Sequence, residues 1–589
     1  METPDYAIIK PVVIRVKKRI PYGIGDFETI RNGNYYYVDK TKIIQELEKH
    51  RYPFFIRPRR FGKSLLISTL EHYYDIEKKD AFDELYKGLW IHEHPTEERN
   101  SYLVLRLDFS GIETSQGKQA LYDSFTDKVK NNILVFLHKY KYHLQKDIYD
   151  NVQSETDPEQ ILSSFITVLK QSNQQAYLLI DEYDNFANDL IGANEDNLYY
   201  EILSKTGFVR TFYEAIKSGA QEGAISRIFL TGVSPIMLDD LTSGFNIAKN
   251  ITLEKTYNTA LGFTQKDVEE MTEYYNVLSG KEKEAAMNEM KNYYNGYLFS
   301  KDSSERLYNP DMVLHFMDSF KEGYYPDDMI DMNVRTDYGK LHRLVSVDRV
   351  LSEKGEKNER ISRIEQLLEE EQIHTRIVQM FSLERIGYKE SFISLMYYMG
   401  LLTIKEKDID EVILKIPNLV VKKLFYEYIR ERYEDTFDDY MVTTTIKDRL
   451  RTMVKTGEAV PFIEYTYNQV IQYISNRDLI KLEEKHIKMI MMSFLSITQA
   501  YIPYSELEMN KGYSDIVLVP DTRYGVKNSQ IWELKYIKEK EDPQEKIEEA
   551  KEQIKRYEQD EKFQRLAAGT TIFKYIILAY KDRIEILEQ

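Results

Sequence analysis

The chain of 589 residues contains no cysteine. Disulfides, thiolate zinc sites, iron–sulfur ligation and a cysteine nucleophile are therefore excluded, and the absence fits a reducing compartment. An excess of cations is missing too: 80 Lys and Arg stand against 97 Asp and Glu, for a formal charge of −17. That balance argues against a nonspecific polyanion binder, because neutralising a phosphate backbone needs clustered positive charge. Long apolar runs are absent; MIMMSFL at 489–495 is far shorter than the roughly 20 residues that span a bilayer. The N-terminal segment lacks the apolar core and small-residue end of a signal peptide. No fixed-period repeat or low-complexity tract occurs. The expectation is a cytoplasmic protein without a membrane partner. What the chain does have is 42% hydrophobic and 13% aromatic residues, enough for packed cores in several folding units.

Up to about residue 250, short apolar runs alternate with helical patterns: YPFFIRP (52–58), YLVLRLDFS (102–110), AYLLIDEYD (176–184) and RIFLTGVSPI (227–236). This alternation predicts βαβ units, and hence an α/β domain with a buried parallel sheet and helices on both faces. Residues 251–330 read as a helical lid region. Over 331–450, helices lead into LLTIKEKDIDEVILKIPN (401–418), two apolar strands around a charged loop, which suits a winged-helix-like unit. Residues 451–589 read as a compact α/β domain, with strands at 514–520, 530–537 and 573–580 and a helix over 543–560.

The first chemical signal is Arg57-Pro58-Arg59-Arg60-Phe61-Gly62-Lys63-Ser64, between an apolar strand and a helical pattern. Main-chain N–H groups of such a loop, from Arg59 to Leu65, can wrap phosphates at a helix N-terminus. Lys63 would neutralise the outer phosphates and Ser64 would hold a Mg²⁺ ion. Arg57 stands where the phosphate-loop signature has its first glycine. The strand 177–180 ends in Asp181 and Glu182; the first suits the Mg²⁺ shell and the second suits polarising a water. Thr231, at the end of another strand, is expected to face the γ-phosphate.

These residues, with PYGIGDFETIRNGNYYYVDKT (21–41), LTGVSPI (230–236), NYYNGYLF (292–299), LYNPDMVL (307–314) and LKIPNLVV (414–421), resemble the AAA-ATPase-like family of bacterial proteins. The resemblance implies a P-loop NTPase fold and ATP as ligand, and it makes the arginine-led loop expected. Arg59, Arg60 and Arg210 are the candidates for an arginine finger.

The second signal lies near the C-terminus. Asp515 and Glu533, each on an expected strand, can hold a divalent metal, and Lys535 shares a strand face with Glu533. Glu506 or Glu508 is placed to add a ligand. Gly512-Tyr513-Ser514-Asp515, Glu533-x-Lys535 and Gln553-x-x-x-Tyr557 together resemble the PD-(D/E)xK nuclease superfamily. That resemblance implies metal binding by Asp515 and Glu533, assistance from Lys535, and support from Gln553, Tyr557 and Glu484. Residues 481–589 carry 18 basic against 20 acidic residues, so nearly all of the negative charge lies elsewhere. Nucleic acid would meet less repulsion here, along 511–513 and the lysines of 535–546.

Two functions are expected to compete. One is an ATP-hydrolysing protein whose nucleotide state gates a Mg²⁺-dependent nuclease acting on DNA or RNA. The other is an ATP-dependent signalling or assembly switch, possible as an oligomer, in which the C-terminal domain only recognises a partner.

Overall fold

In a computed structural model of the chain, the described residues are 17–145, 149–241, 244–275, 280–336, 367–368, 372–434, 441–473, 483–509, 512–538 and 541–589. Two units emerge: Met1–Asp337 with Ile377–Gly400, and Tyr338–Arg376 with Leu401–Gln589.

Each apolar run of the N-terminal region becomes a strand, because only a sheet covered on both faces can hide such continuous hydrophobic stretches. The strands are β1 (Pro53–Ile56), β2 (Leu103–Asp108), β3 (Ala176–Asp181), β4 (Ile225–Gly232) and the short β5 (Lys249–Asn250). They pair in parallel in the order β2-β3-β4-β1-β5. Every residue of β1 and β3 is buried. The register sets Asp108 beside Asp181 and Ile56 beside Gly232, so the C-terminal ends of β1 to β4 reach one edge together. One face is closed by the helix Lys63–Tyr74, whose Leu66, Ile67, Leu70, Tyr73 and Tyr74 enter a core with Phe27, Tyr86, Tyr177 and Phe229.

The helical region after the sheet contains Gln265–Tyr275, Gly280–Tyr294 and Pro310–Phe320. The last begins where NPDM predicts: the Asn309 side chain accepts from the Asp311 and Met312 N–H groups, and Pro310 opens the helix. Between the second and third helices the chain turns back, with Tyr297 bridged to Leu307 and Phe263 to Tyr308. That return brings Tyr297 and Phe299 to the phosphate-loop candidate, described below.

In the second unit, β6 (Gln372–Thr375), β7 (Thr403–Asp408) and β8 (Glu411–Lys415) form an antiparallel sheet in the order β6-β8-β7. The hairpin expected over 401–418 is thus present. The helix Lys389–Tyr398 that precedes it falls in the first unit, so the helix-and-hairpin region is shared between the two. The C-terminal sheet comprises β9 (Tyr501–Met509), β10 (Gly512–Pro520), β11 (Asn528–Tyr536), β12 (Thr571–Ala579) and β13 (Ile584–Glu588). Its order is β13-β12-β11-β10-β9, parallel only between β11 and β12. The helix Pro543–Glu558 packs Ile547, Ala550, Ile554 and Tyr557 onto this sheet with Val517, Ile531 and Ile576. Among the described residues, no helix is long and apolar enough to cross a membrane.

Candidate functional site

At the end of β1 the Arg57 N–H still donates to the Gly232 carbonyl at 3.3 Å, continuing the ladder with β4. The Arg57 side chain then turns away from the loop and into the protein, where it is fully buried. Its guanidinium donates to the carbonyls of Ile56, Thr252 and Tyr257 at 2.8, 3.0 and 2.7 Å. It also lies between the Phe55 and Phe299 rings, 4.1 and 4.2 Å from their centroids. Burial drives its pKa down to about 9. A charge taken this far from water persists only because carbonyl dipoles and ring faces surround it. Where other phosphate loops have a glycine, this one has a structural tether.

The next residues are fixed by shape. Pro58 lies under Gly400, whose φ is +79° and where an added Cβ would stand 2.8 Å from the proline ring. Arg60 and Gly62 both take left-handed backbone, with φ of +67° and +93°. A side chain at Gly62 would meet nothing closer than Leu261 at 4.0 Å, so backbone conformation rather than space demands glycine there. Phe61 is buried, edge-on to Tyr297 and Phe299 at 5.0 and 5.3 Å. Its side chain anchors the loop, so only its main chain can serve a ligand. Arg59 and Arg60 are half-buried, and Leu65 packs against the core from the first helical turn. The N–H groups that open the helix Lys63–Tyr74 precede any helical carbonyl partner, as at every helix start.

Lys63 is buried, and its Nζ donates to the Pro58 carbonyl at 3.1 Å. Burial lowers its pKa, against the pull of Glu182, Asp181 and Asp184. Across the sheet edge the Ser64 side chain hydrogen-bonds to Asp181, which is 1% exposed. Burial raises the Asp181 pKa, with Ser64 and Lys63 partly offsetting it. Glu182 is half-buried in left-handed backbone, φ +49°, its N–H held by the Asp181 carboxylate at 3.0 Å. Burial raises its pKa as well, opposed by Lys63 and reinforced by Asp181, Asp108 and Asp184. A non-glycine residue held there costs roughly 1–3 kcal/mol, which is characteristic of functional sites. The structure therefore brings Lys63, Ser64, Asp181 and Glu182 together.

Thr231 ends β4 beside β1, where its buried hydroxyl donates to the Phe55 carbonyl at 2.8 Å and fastens the two strands. That bond is the role the structure gives its side chain, and facing a γ-phosphate stays an expectation from the sequence. Arg210 pairs with Glu214 one helical turn on, at 3.1 Å.

In the second unit β11 is buried on both faces, so Glu533 and Lys535 on one side are as enclosed as Trp532 and Leu534 on the other. Lys535 Nζ donates to Glu533 Oε1 at 3.0 Å, while the buried Glu533 Oε2 has no partner among the described residues. Burial, with Asp515 and Glu484 adding like charge, pushes the Glu533 pKa up to about 8. Burial opposes the Lys535 charge, but Glu533, Asp515 and Glu484 outweigh it and raise its pKa. Asp515 on β10 accepts the Leu534 N–H at 2.9 Å, and Glu484 accepts the Tyr536 N–H at 3.2 Å. Burial and then Asp515 raise the Glu484 pKa. Gln553 hydrogen-bonds to Tyr557, which feels the charge of Glu533 and Asp515, and Gln553 Oε1 is buried without a partner among the described residues. Five expected residues thus gather around Glu533. Glu506 and Glu508 lie on β9, but their side chains fall outside the described set, as do those of Tyr513 and Ser514 and the whole of Lys511.

Residues 21–242 match the family model of predicted AAA-ATPases, and residues 482–589 match that of the PD-(D/E)XK nuclease superfamily. The chain joins an AAA-ATPase-like domain to a PD-(D/E)XK domain. An "Uncharacterized protein in vnfD 5′ region" from Azotobacter chroococcum mcd 1 is 28% identical over 307 residues, covering 51% of this chain and 52% of that protein. The chain therefore spans about half the length of that curated relative. Among solved structures, ORC2 of Aeropyrum pernix, in ADPNP–ADP complexes, is 11% identical with a TM-score of 0.32, covering 69% of this chain and 97% of its own. ORC1 of the same organism, in complex with DNA, is 10% identical with a TM-score of 0.25, covering 66% and 91%.

The AAA-ATPase-like domain also contains two site residues that the sequence reading passed over. Asp184 is fully buried and accepts from the Ser234 N–H at 2.6 Å, the Val233 N–H at 3.1 Å and Asn188 at 2.8 Å, fixing the turn after β4. Its signal was the second aspartate of LLIDEYD. Arg106 on β2 lies 3.6 Å from both Asp181 and Glu71, beside Asp108 at the strand end. An isolated arginine in a strand gives no such signal.

Both domains fit a divalent cation. In the AAA-ATPase-like domain, Ser64 and Asp181 present a hydroxyl and a carboxylate to one place. In the PD-(D/E)XK domain, the unpartnered Glu533 oxygen beside Asp515 suits a hard cation. Among the described residues no three His, Asp or Glu groups are gathered to hold a metal. Two carboxylates with water completing the shell is a usual arrangement for Mg²⁺.

Proposed function

We propose that the first unit binds and hydrolyses ATP with Mg²⁺, and that its nucleotide state gates a Mg²⁺-dependent phosphodiesterase site in the second unit acting on DNA. The observation that carries the first half is the meeting of Lys63, Ser64, Asp181 and Glu182 beyond the ends of β1 and β3. The helix start and the loop N–H groups would hold the phosphates, Lys63 would neutralise the outer ones, and Ser64 with Asp181 would hold the cation. Glu182, with a pKa raised by burial, is suited to take a proton from water. Arg59 and Arg60 would add positive charge at the loop.

Glu533 Oε2 supports the second half. In that site Asp515 and Glu533 would hold a metal ion, which lowers the pKa of bound water and stabilises charge on a phosphate oxygen. Lys535 would favour the ionised form of Glu533, against burial and the neighbouring carboxylates, and offer a cation to the same oxygens. Glu484, Gln553 and Tyr557 would orient the carboxylates. Gating requires that nucleotide bind two arrangements of the chain with different affinity.

The test compares wild type, Lys63→Ala and Glu533→Gln. With ATP–Mg²⁺ at about 100 times its dissociation constant, wild type gains about 2.7 kcal/mol of stability, read as a rise in melting temperature, and Lys63→Ala gains none. DNA cleavage requires Mg²⁺ or Mn²⁺, is lost in Glu533→Gln, and responds to ATP in wild type but not in Lys63→Ala. Equal cleavage by wild type and Lys63→Ala at every ATP concentration refutes gating while leaving both sites standing.

A further inference from the structure

Strand β2 reads LVLRLD, and Arg106 is the cation within it. Leu103, Val104, Leu105 and Leu107 are buried, so a charge set among them needs partners that the strand does not supply. The register puts Arg106 beside Leu179 and Asp108 beside Asp181. Residues two apart share a sheet face, so Arg106 and Asp181 lie on the same face, diagonally across β2 and β3. The helix Lys63–Tyr74 covers that face, where Val104, Tyr177 and Leu179 join its core. Arg106 reaches a carboxylate on each neighbour: Nη2 stands 3.6 Å from Asp181 Oδ2, and Nη1 stands 3.6 Å from Glu71 Oε2 on the helix.

Glu71 is held in turn. Its Oε1 lies 3.9 Å from Lys139 Nζ, at the end of the helix Lys118–Lys139, and that ammonium lies 2.6 Å from Oδ2 of the fully buried Asp75. Asp75 Oδ1 also accepts the Tyr140 hydroxyl at 2.8 Å. Three carboxylates thus alternate with two cations, in the order Asp181, Arg106, Glu71, Lys139, Asp75, and the ladder keeps one negative charge in excess. The Asp75 end is matched closely, at 2.6 Å, and the Asp181 end loosely, at 3.6 Å, so the excess lies toward Asp181. At that separation the arginine attracts Asp181 Oδ2 without hydrogen-bonding to it, while Oδ1 accepts the Glu182 N–H at 3.0 Å.

We infer that Arg106 is a positioning residue for the divalent cation that accompanies the nucleotide: braced by Glu71, it holds the Asp181 carboxylate in its orientation beside Ser64. This rests on the reading of the first unit as an ATPase. A carboxylate that ligates a metal is commonly oriented by an outer partner, and losing that partner weakens the metal site. Because the attraction is Coulombic, it survives the small displacement that a bound cation would impose. Glu71 belongs to the helix that opens with Lys63 and Ser64, about two turns beyond the serine. The ladder therefore ties that helix to Asp181 a second time, in addition to the Ser64 bond.

The test follows ATP binding by the full chain in EDTA and in Mg²⁺, together with the melting temperature of the unliganded protein. Arg106→Ala is expected to weaken binding in Mg²⁺ by about tenfold or more, with affinity in EDTA at the wild-type value. Arg106→Lys, which keeps the charge but cannot fork to two carboxylates, should fall between the two. Glu71→Gln, which leaves Arg106 without its brace, should shift the Mg²⁺ value in the same direction by less. An arginine that only stabilises the fold gives another pattern: a lower melting temperature, with equal losses of affinity in EDTA and in Mg²⁺. That pattern overturns the inference, as does unchanged affinity in Mg²⁺ for Arg106→Ala. If Arg106→Ala does not fold, Arg106→Lys and Glu71→Gln decide by the same comparison. A wild-type chain that binds ATP equally well in EDTA and in Mg²⁺ overturns the inference alone. One that binds no ATP overturns the ATPase reading and the inference with it.

Discussion

Around Lys63, oxygen atoms have been given their donors: Asp184 takes two main-chain N–H groups and an amide, and Asp181 takes the Ser64 hydroxyl and the Glu182 N–H. Around Glu533, three carboxylates crowd one lysine, and among the described residues a buried oxygen is left without a partner. The carboxylates of the first site already have donors, and the N–H groups of its helix start suit an anion. The second is short of positive charge, which suits a cation. They also differ in construction, since the first joins one loop and helix start to the end of β3, whereas the second is drawn from β10, β11 and two helices. The first is set by two neighbouring strand ends; the second depends on the sheet and the helices that cover it.

The sharpest way to test that contrast is Asp515→Asn. Removing one carboxylate should abolish metal-dependent cleavage by about a thousandfold or more, a transition-state loss of about 4 kcal/mol. ATP-induced stabilisation of the first unit should be unchanged, as a melting assay with ATP–Mg²⁺ would show. Next in size is Arg57→Met, which fills similar volume but takes one donor away from each of three carbonyls. A loss of about 2–4 kcal/mol in denaturant unfolding is expected, with nucleotide affinity falling as the loop loosens. An unfolding midpoint equal to wild type would show that the tether is dispensable.

Arg57 also marks what sequence could and could not reveal. The order strand, RPRRFGKS, helix was readable because phosphate binding by main-chain groups is a local property, and so was the pairing of Asp181 with Glu182 at a strand end. The fate of Arg57 was not, since the carbonyls and rings that capture it come from Thr252, Tyr257 and Phe299, far along the chain. The bond made by the Thr231 hydroxyl was hidden for the same reason, its acceptor lying on another strand. Near the C-terminus, period-two alternation placed Glu533 and Lys535 on one face correctly. It did not show that this face is as buried as the one with Trp532, because burial on both sides is set by the helices that cover the sheet.

A pH prediction follows from the enclosed carboxylate. The folded-state pKa of Glu533 lies above its unfolded value, so the native state holds the proton more tightly. Its contribution to stability is present below about pH 4.3, the unfolded value, and is lost as pH rises through about 8. Without divalent ions, melting of the second unit should fall across that range in wild type and flatten in Glu533→Gln. Added Mg²⁺ should reverse part of the fall at the alkaline end. The smallest expected effect belongs to Thr231→Val, which removes one hydrogen bond within the first sheet. It should cost about 0.5–1.5 kcal/mol in urea unfolding with ATP affinity unchanged, whereas an affinity loss beyond tenfold would return Thr231 to the nucleotide.

Gly400 touches Pro58 and is also the final residue of the first unit before the polypeptide continues as Leu401 into the second. A methyl group at position 400 would act as a wedge, driving the proline outward beneath the loop that ends in Ser64 and straining a left-handed turn in one stroke, so that a single carbon atom is felt in two places.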